Sequence, residues 1–426
     1  MKKITILSLA IIVLGIGAWK FIDYKKNKTR NNVIGLLNSK TSYVSNSSSS
    51  ADRYISASQE DLRNNPDNTN LLVKMGYAYV QKSREENDPQ YYENAKDFFQ
   101  RAIELDGNNA DAYGGLGSVC LSEHNFKDAL QAGKRALEIN PHSAYAMSVI
   151  VDAQVELGMY GNAIKTAQSM VNTRPDLSSY SRISYLREIH GDLPGAIDVM
   201  KMAVNAGAPN GENTAWCTVQ LGNLYFNAGE IDSAKICYDA ALEKYPDYVY
   251  ALGGLAKIKL HNGDYISVVT MLEKIADKNK LPEYLILLGE AYKITGQNDK
   301  TEEMFAKVKF INTYFKEKGV DTDLELTLFN INQGRNIKEA VKTAEKYIKE
   351  GNNSFKTFHT LAWAEYKNGE TDSAVKNIET ALKTGIKEPL LWYHAGKIFE
   401  KAGDKVKAEK YLSYSHSINP WLEKIE

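Results

Sequence analysis

Catalysis needs particular side chains at particular spacings, and this chain offers few of them. Its seven histidines, His124, His142, His190, His261, His359, His394 and His416, form no H-x-x-x-H or H-E-x-x-H set of the kind that holds a catalytic zinc on a helix. His190 and His261 stand just before glycines at the ends of apolar-periodic stretches, where histidine suits a helix C-terminus, so a structural role is expected of both. Cys120, Cys217 and Cys237 have no C-x-x-C spacing, which removes a zinc ribbon and dithiol redox chemistry. Cys120 falls at a core position, and only Cys217 with Cys237 stays open as an internal pair. Gly114-Gly115-Leu116-Gly117 and Gly253-Gly254 lack the G-K-[ST] that a phosphate loop requires. Acidic residues are scattered at solvating positions, with no pair marked out for acid–base work. The expectation is a protein without enzymatic activity, metal, cofactor or small-molecule substrate.

What the chain does have is a period. Ala95, Ala129, Ala163, Ala196, Ala234, Ala340, Ala374 and Ala408 recur at steps of 34 residues or close to it. Around each, apolar residues fall three, four and seven apart, which places them on one face of each of two short helices. Gly158, Gly191, Gly229, Gly263, Gly296, Gly369 and Gly403 hold one place after the first helix of a pair, where a left-handed residue ends a helix. Asp192, Glu230, Asp264 and Asp404 follow at once and suit the N-terminus of the next helix. Pro141, Pro175, Pro246 and Pro420 close second helices. One such hairpin cannot bury its apolar face alone, so neighbours must stack.

Leu221, Gly222, Tyr225, Ala234, Tyr238, Ala241 and Pro246 fall where the 34-residue pattern L-G-x-x-Y…A-x-x-x-F…A…P wants them. Tyr113, Leu116, Gly117, Ala129, Ala136 and Pro141 repeat it, as do Trp392, Gly396, Phe399, Ala408, Leu412 and Pro420. By these residues the chain resembles the tetratricopeptide repeat (TPR) family over roughly residues 69 to 420. The resemblance implies an all-α, right-handed α-solenoid of about ten hairpins over 69–420, with units beginning near 69, 110, 144, 177, 215, 249, 282, 321, 355 and 389. Units six and seven carry Val268 and Thr301 at the alanine position, and unit eight has Leu328 where glycine is usual. Extra residues at Asp88-Pro89-Gln90, at 208–213 and at Lys318-Gly319-Val320 read as longer turns.

In proteins similar to this one the binding surface is the concave groove lined by first helices. The positions that the resemblance assigns to it are Tyr77, Arg182, Tyr185, Trp216, Asn223, Phe226, Asn227, Trp363 and Tyr366. Trp216, Asn223, Phe226 and Asn227 share one helix and offer an aromatic and amide face to an extended peptide. The competing reading packs Trp216 and Phe226 against a neighbouring helix. Some members grip a C-terminal carboxylate with lysines and asparagines; Asn223 fits that arrangement, but the matching lysines are missing in units four and five. The function implied is a protein or peptide scaffold.

Residues 1–22 differ in kind: Lys2 and Lys3 precede an apolar run from Ile4 to Trp19 that Phe21 and Ile22 extend past Lys20. A span of about 20 residues crosses a bilayer, while the shorter uninterrupted core also fits a secretory signal peptide. Trp19 and Tyr24 at the interface favour a single-pass anchor of a bacterial membrane. Lys20, Lys25, Lys26, Lys28 and Arg30 argue for cytoplasmic repeats, whereas the lysine-led apolar start is the look of an exported chain; the expectation leans to the extracytoplasmic side. Residues 23–51 read as a Ser/Asn-rich tether, 52–68 as a leading helix and 421–426 as a cap. A formal net charge of -1 speaks against nucleic acid as the main partner.

Overall fold

The computed structural model describes residues 31–32, 50–278 and 281–425, and within them every regular element is a helix. The apolar segment 1–22 and most of the expected tether lie outside the described residues. Among the described ones no helix is long and apolar enough to cross a membrane. The chain divides into two compact units, the first ending at Glu123 and taking up Gln131–Ala146, the second holding His124–Leu130 and everything from Met147.

In the first unit a leading helix α1 (Ser50–Asn64) lies on α2 (Thr69–Glu86), followed by α3 (Gln90–Leu105) and α4 (Ala110–Ser122); α5 (Phe126–Ile139) contributes from Gln131 onward. Ile55 and Leu62 of α1 join Leu72, Met75, Phe98 and Phe99 in one core, so α1 covers what would be an open end of the stack. Small residues set the helix spacing: a Cβ on Gly76 or Gly115 would stand 2.6 or 2.3 Å from the Phe99 ring. Gly115 thus serves packing, as does Gly114, where a Cβ would stand 3.0 Å from the Tyr145 ring. Between α2 and α3 the extra residues form a turn in which Asn87 takes a left-handed φ of 50° and the Asp88 carboxylate accepts from the Gln90 amide.

The second unit is a run of hairpins: α6 (Ala144–Glu156) with α7 (Tyr160–Thr173), α8 (Leu177–Ile189) with α9 (Leu193–Ala206), α10 (Glu212–Asn227) with α11 (Ile231–Lys244), and α12 (Val249–His261) with α13 (Tyr265–Lys278). It continues through α14 (Pro282–Ile294) with α15 (Asn298–Glu317), α16 (Asp323–Asn332) with α17 (Ile337–Lys349), α18 (Phe355–Asn368) with α19 (Thr371–Leu382), and α20 (Pro389–Lys401) with α21 (Lys405–Ile418), ending in the short α22 (Leu422–Ile425). The alanine of each hairpin is buried where two helices cross, and Val268 substitutes for it without exposure. Thr301, a polar residue in the same place, donates its hydroxyl to the Gly289 carbonyl at 3.2 Å, which offsets the desolvation of that group. The four second helices followed by proline stop two residues short of Pro141, Pro175, Pro246 and Pro420, because the residue before proline is pushed out of the helical region. Part of the extra length before unit eight goes into α15, which runs for 20 residues.

The second unit also closes on itself. Lys356 pairs with Glu156, 200 residues earlier, at 3.0 Å, the Asn353 amide donates to the Leu157 carbonyl, and the Tyr160 hydroxyl accepts from the Phe355 amide. Farther along, the Tyr414 hydroxyl donates to the Asn227 carbonyl and the His261 ring meets the Ile418 carbonyl at 2.8 Å. Turn glycines make this closure possible. Gly158 and Gly191 have φ of 73° and 76°, and a Cβ on either would lie 2.2 Å from the Asn353 carbonyl oxygen or 2.4 Å from that of Gly385.

Candidate functional site

Closure turns the first helices of the second unit toward a shared interior. Glu188 near the end of α8, Lys257 on α12, Lys356 on α18 and Glu388 at the cap of α20 act on one another there. Lys356 keeps 45% of its side chain open to water while its ammonium pairs with Glu156. Burial works against its charge, but Tyr185 and Glu156 outweigh that and hold its pKa above the ordinary lysine value. Burial raises Glu188 to about 7, opposed by the Asn227 amide and reinforced by Glu388. Glu388 is also raised by burial while it accepts from the Leu390 and Leu391 amides and so caps α20.

The same face continues through α14, α16, α18 and α20, whose side chains line a small, partly open pocket of about 40 Å³ that Phe305 of α15 and Leu422 of α22 also border. Trp363 lines it, 2% exposed, donating its indole N–H to Asn332 Oδ1 at 2.9 Å. The His394 ring stacks flat on it, centroids 3.7 Å apart, and Tyr366 stacks at 4.7 Å. His394 Nδ1 shares one proton with His359 Nε2 at 2.7 Å. Burial depresses both rings, His359 to about 3 and His394 well below the ordinary value, so both are neutral. On α14, Glu290 faces the cavity with its pKa pushed up to about 7 by burial and eased down by Lys293.

The residues that the groove register singled out are spread over different surroundings. Tyr77 belongs to the first unit, where its hydroxyl donates to the Asp111 carbonyl and its ring meets Phe99 and Tyr145 edge-on. Arg182 forks onto Asp152 at 2.8 and 2.6 Å and joins α8 to α6. Asn223 accepts from the Tyr238 hydroxyl, and Phe226 is core, 4% exposed and edge-on to His261. Trp216 is 39% exposed. Tyr185, Asn227, Trp363 and Tyr366 line or adjoin the interior. Cys217 and Cys237 are not a pair: all three cysteines are free and buried, and burial raises the two thiols to about 12 and about 11.

Sequence reasoning passed over Glu188, Glu290, Lys356 and the two histidines. The histidines had a signal: His359 and His394 are 35 residues apart, one period, which places them at the same register of adjacent first helices. Motif reading looks for spacings within one helix and misses a pair made across two. Among the described residues no group of three or more His, Cys, Asp or Glu is arranged to hold a metal ion.

This architecture of paired helices at a 34-residue period has counterparts among known proteins. Family models described as tetratricopeptide repeat match residues 70–109, 90–144, 219–265 and 359–415. The chain carries tetratricopeptide repeats. A peroxisomal targeting signal receptor of Komagataella phaffii is 25% identical over 194 residues, covering 40% of this chain and 33% of the receptor. The cellulose synthase 1 operon protein C of Komagataeibacter xylinus is 20% identical over 66% of this chain and 19% of its own length. The chain therefore spans a third or less of these curated relatives. Among solved structures, a human IFIT1 dimer with m7Gppp-AAAA superposes with a TM-score of 0.50 at 14% identity, over 78% of this chain and 77% of that one, a likeness of fold alone. Within the second unit, contacts such as Lys356–Glu156 and Tyr414–Asn227 bring one stretch of the repeats against another.

Proposed function

We propose that the chain is a non-catalytic scaffold that holds a partner protein or peptide on the inner face of its second unit, at a bacterial membrane to which residues 1–22 anchor it. The observation that carries this reading is the interior of α8, α12, α14, α18 and α20. Those first helices place ionisable and aromatic side chains around water-accessible space, with no metal-ligand cluster among the described residues. Such a surface recognises an extended segment by hydrogen bonds and charge. The apolar run from Ile4 to Trp19 supports the anchor, and the lysine-led start supports repeats on the extracytoplasmic side. The net charge of -1 supports protein over nucleic acid as the partner class. A relative named for a cellulose synthase operon favours a second reading, a non-catalytic subunit of an envelope enzyme or assembly complex, or a soluble exported protein of the envelope.

The test is photo-cross-linking in cells that carry the full chain, with the cross-linker placed at Lys356 on the inner face or at Ile266, which is 80% exposed. A partner protein captured from position 356 and not from 266 is the expected result. Capture from 266 alone would move the binding surface elsewhere. After a carbonate wash the anchored protein stays in the membrane pellet, and release into the supernatant would favour the exported reading.

A further inference from the structure

The long-range contacts that close the second unit fall in a repeating register. With α2 and α3 counted as hairpin one, the turn inside hairpin two meets the join before hairpin eight, where His124 Nδ1 stands 2.8 Å from the Asp321 carbonyl. The turn of hairpin three meets the join before hairpin nine through Leu157, Gly158 and Tyr160, and Gly191 in the turn of hairpin four meets Gly385 in the join before hairpin ten. Asn227 and Gly229 in the turn of hairpin five meet Tyr414 and Ile418 at the end of hairpin ten, and the His261 ring joins this last level at the Ile418 carbonyl. Each turn is thus paired with the join that ends the hairpin five places on. Joins in this seam differ in sequence from joins outside it. Val320, Phe355, Ile386 and Ile418 put one apolar residue at each, all buried, and Ile418 Cδ1 lies 3.6 Å from where a Cβ on Gly229 would stand. The joins at 140–143, 174–176, 207–211 and 245–248 carry Pro141, Pro175, Pro209 and Pro246 instead and hold no buried residue.

Tyr160 and Phe355 are 195 residues apart, so bringing them together costs loop-closure entropy. Once one level is shut, the next is already within reach and closes at little further cost. By the same reasoning, weakening one level loosens the others. We propose that the seam is a cooperative clasp that couples hairpins three to five directly to hairpins nine and ten, so that a partner bound on one side alters the other without touching it. An open solenoid passes a disturbance only between neighbours, whereas here hairpins six and seven, which join the two sides along the chain, are not the route. The inference goes beyond the scaffold reading and holds for any partner.

The experiment is amide hydrogen exchange of the full chain, read by mass spectrometry, in the parent and in variants altered at the last level of the seam alone. Tyr414→Phe removes the hydroxyl that donates to the Asn227 carbonyl and keeps the ring, and Ile418→Val removes the methyl group over Gly229. The readout lies two levels away, at the Asn353 amide that donates to the Leu157 carbonyl and the Phe355 amide that donates to the Tyr160 hydroxyl. Both variants are expected to speed exchange at 353 and 355 by about threefold to tenfold, the worth of one hydrogen bond, while α13 and α14 exchange at the parent rate. Ile266→Ala, at an exposed position of α13, is the control and is expected to change neither. Protection at 353 and 355 kept in both variants would overturn the clasp and leave the levels of the seam independent. Equal acceleration in α13 and α14 would overturn it too, because the effect would then run along the chain or reflect general loss of stability.

Discussion

Two kinds of side chain in the second unit titrate away from their ordinary values in opposite directions. Burial holds His359 down to about 3 and His394 well below 6.5, so between there and about 6.5 the unfolded chain binds protons that the folded chain does not. The stability they contribute is complete above about pH 6.5 and is lost as pH falls, on the order of 1 kcal/mol per pH unit for each ring. Glu188 and Glu290, raised by burial to about 7, do the reverse: between 4.5 and about 7 the folded chain holds the proton, and stability is lost as pH rises. Over about pH 5.5 to 6.5 the two sets nearly cancel. The double variant Glu188→Gln with Glu290→Gln removes two of the carboxyls that oppose the histidines and leaves others, Glu388 among them, in place. Its unfolding free energy from urea titration is expected to rise across that interval by roughly 2 kcal/mol more than that of the parent chain. Equal slopes in the two proteins would show that these acids do not sit where the fold places them. None of this was legible in composition, because a glutamate on a first helix looks like any solvating residue until another stretch of the chain covers it.

Helix starts were more legible, and the place where the pattern breaks is instructive. An acid directly after the turn glycine suggests a cap, and at three positions it is one: Asp192 accepts from the Gly195 amide at 3.0 Å, Asp264 from Ser267 at 3.3 Å and Asp404 from Lys407 at 3.0 Å. Glu230 occupies the same place before α11 and makes no such bond; its carboxylate instead accepts from the Ser233 hydroxyl. Length alone does not forbid a glutamate cap, since Glu388 reaches the Leu390 and Leu391 amides of α20; at α11 the Ser233 hydroxyl takes the Glu230 carboxylate instead. Asp192→Ala is therefore expected to cost about 1 kcal/mol in equilibrium denaturation, and Glu230→Ala only a few tenths. Asp192 has the Gly195 amide and Arg187 holding its pKa low, so its contribution is present above the ordinary carboxylate range and fades as the carboxyl protonates in acid. If E230A cost as much as D192A, the caps would not explain the difference. Hairpin existence, alanine register and proline stops followed from the sequence for the same reason: each depends on residues within one period.

At the largest scale, the closure of the second unit depends on a small rotation per hairpin accumulated over about six of them, and no local pattern encodes such a sum. Its trace in the sequence is hidden among look-alikes. Gly158 and Gly263 occupy the same turn position with φ of 73° and 74°, yet around Gly263 a Cβ would meet nothing within 4 Å, while at Gly158 it would meet the Asn353 carbonyl oxygen at 2.2 Å. The two glycines thus separate backbone strain from closure. Gly263→Ala is expected to cost the left-handed penalty alone, about 1–2 kcal/mol. Gly158→Ala adds displacement of the segment that carries Asn353 and Phe355, for a total of about 3 kcal/mol or more. Because the Asn353 amide donates to the Leu157 carbonyl, hydrogen exchange at Asn353 is expected to accelerate in G158A and stay unchanged in G263A. Matching stability losses with protected Asn353 in both variants would mean that Gly158 is only a turn residue, and that the inner face is held shut by Lys356, Tyr414 and His261 without it.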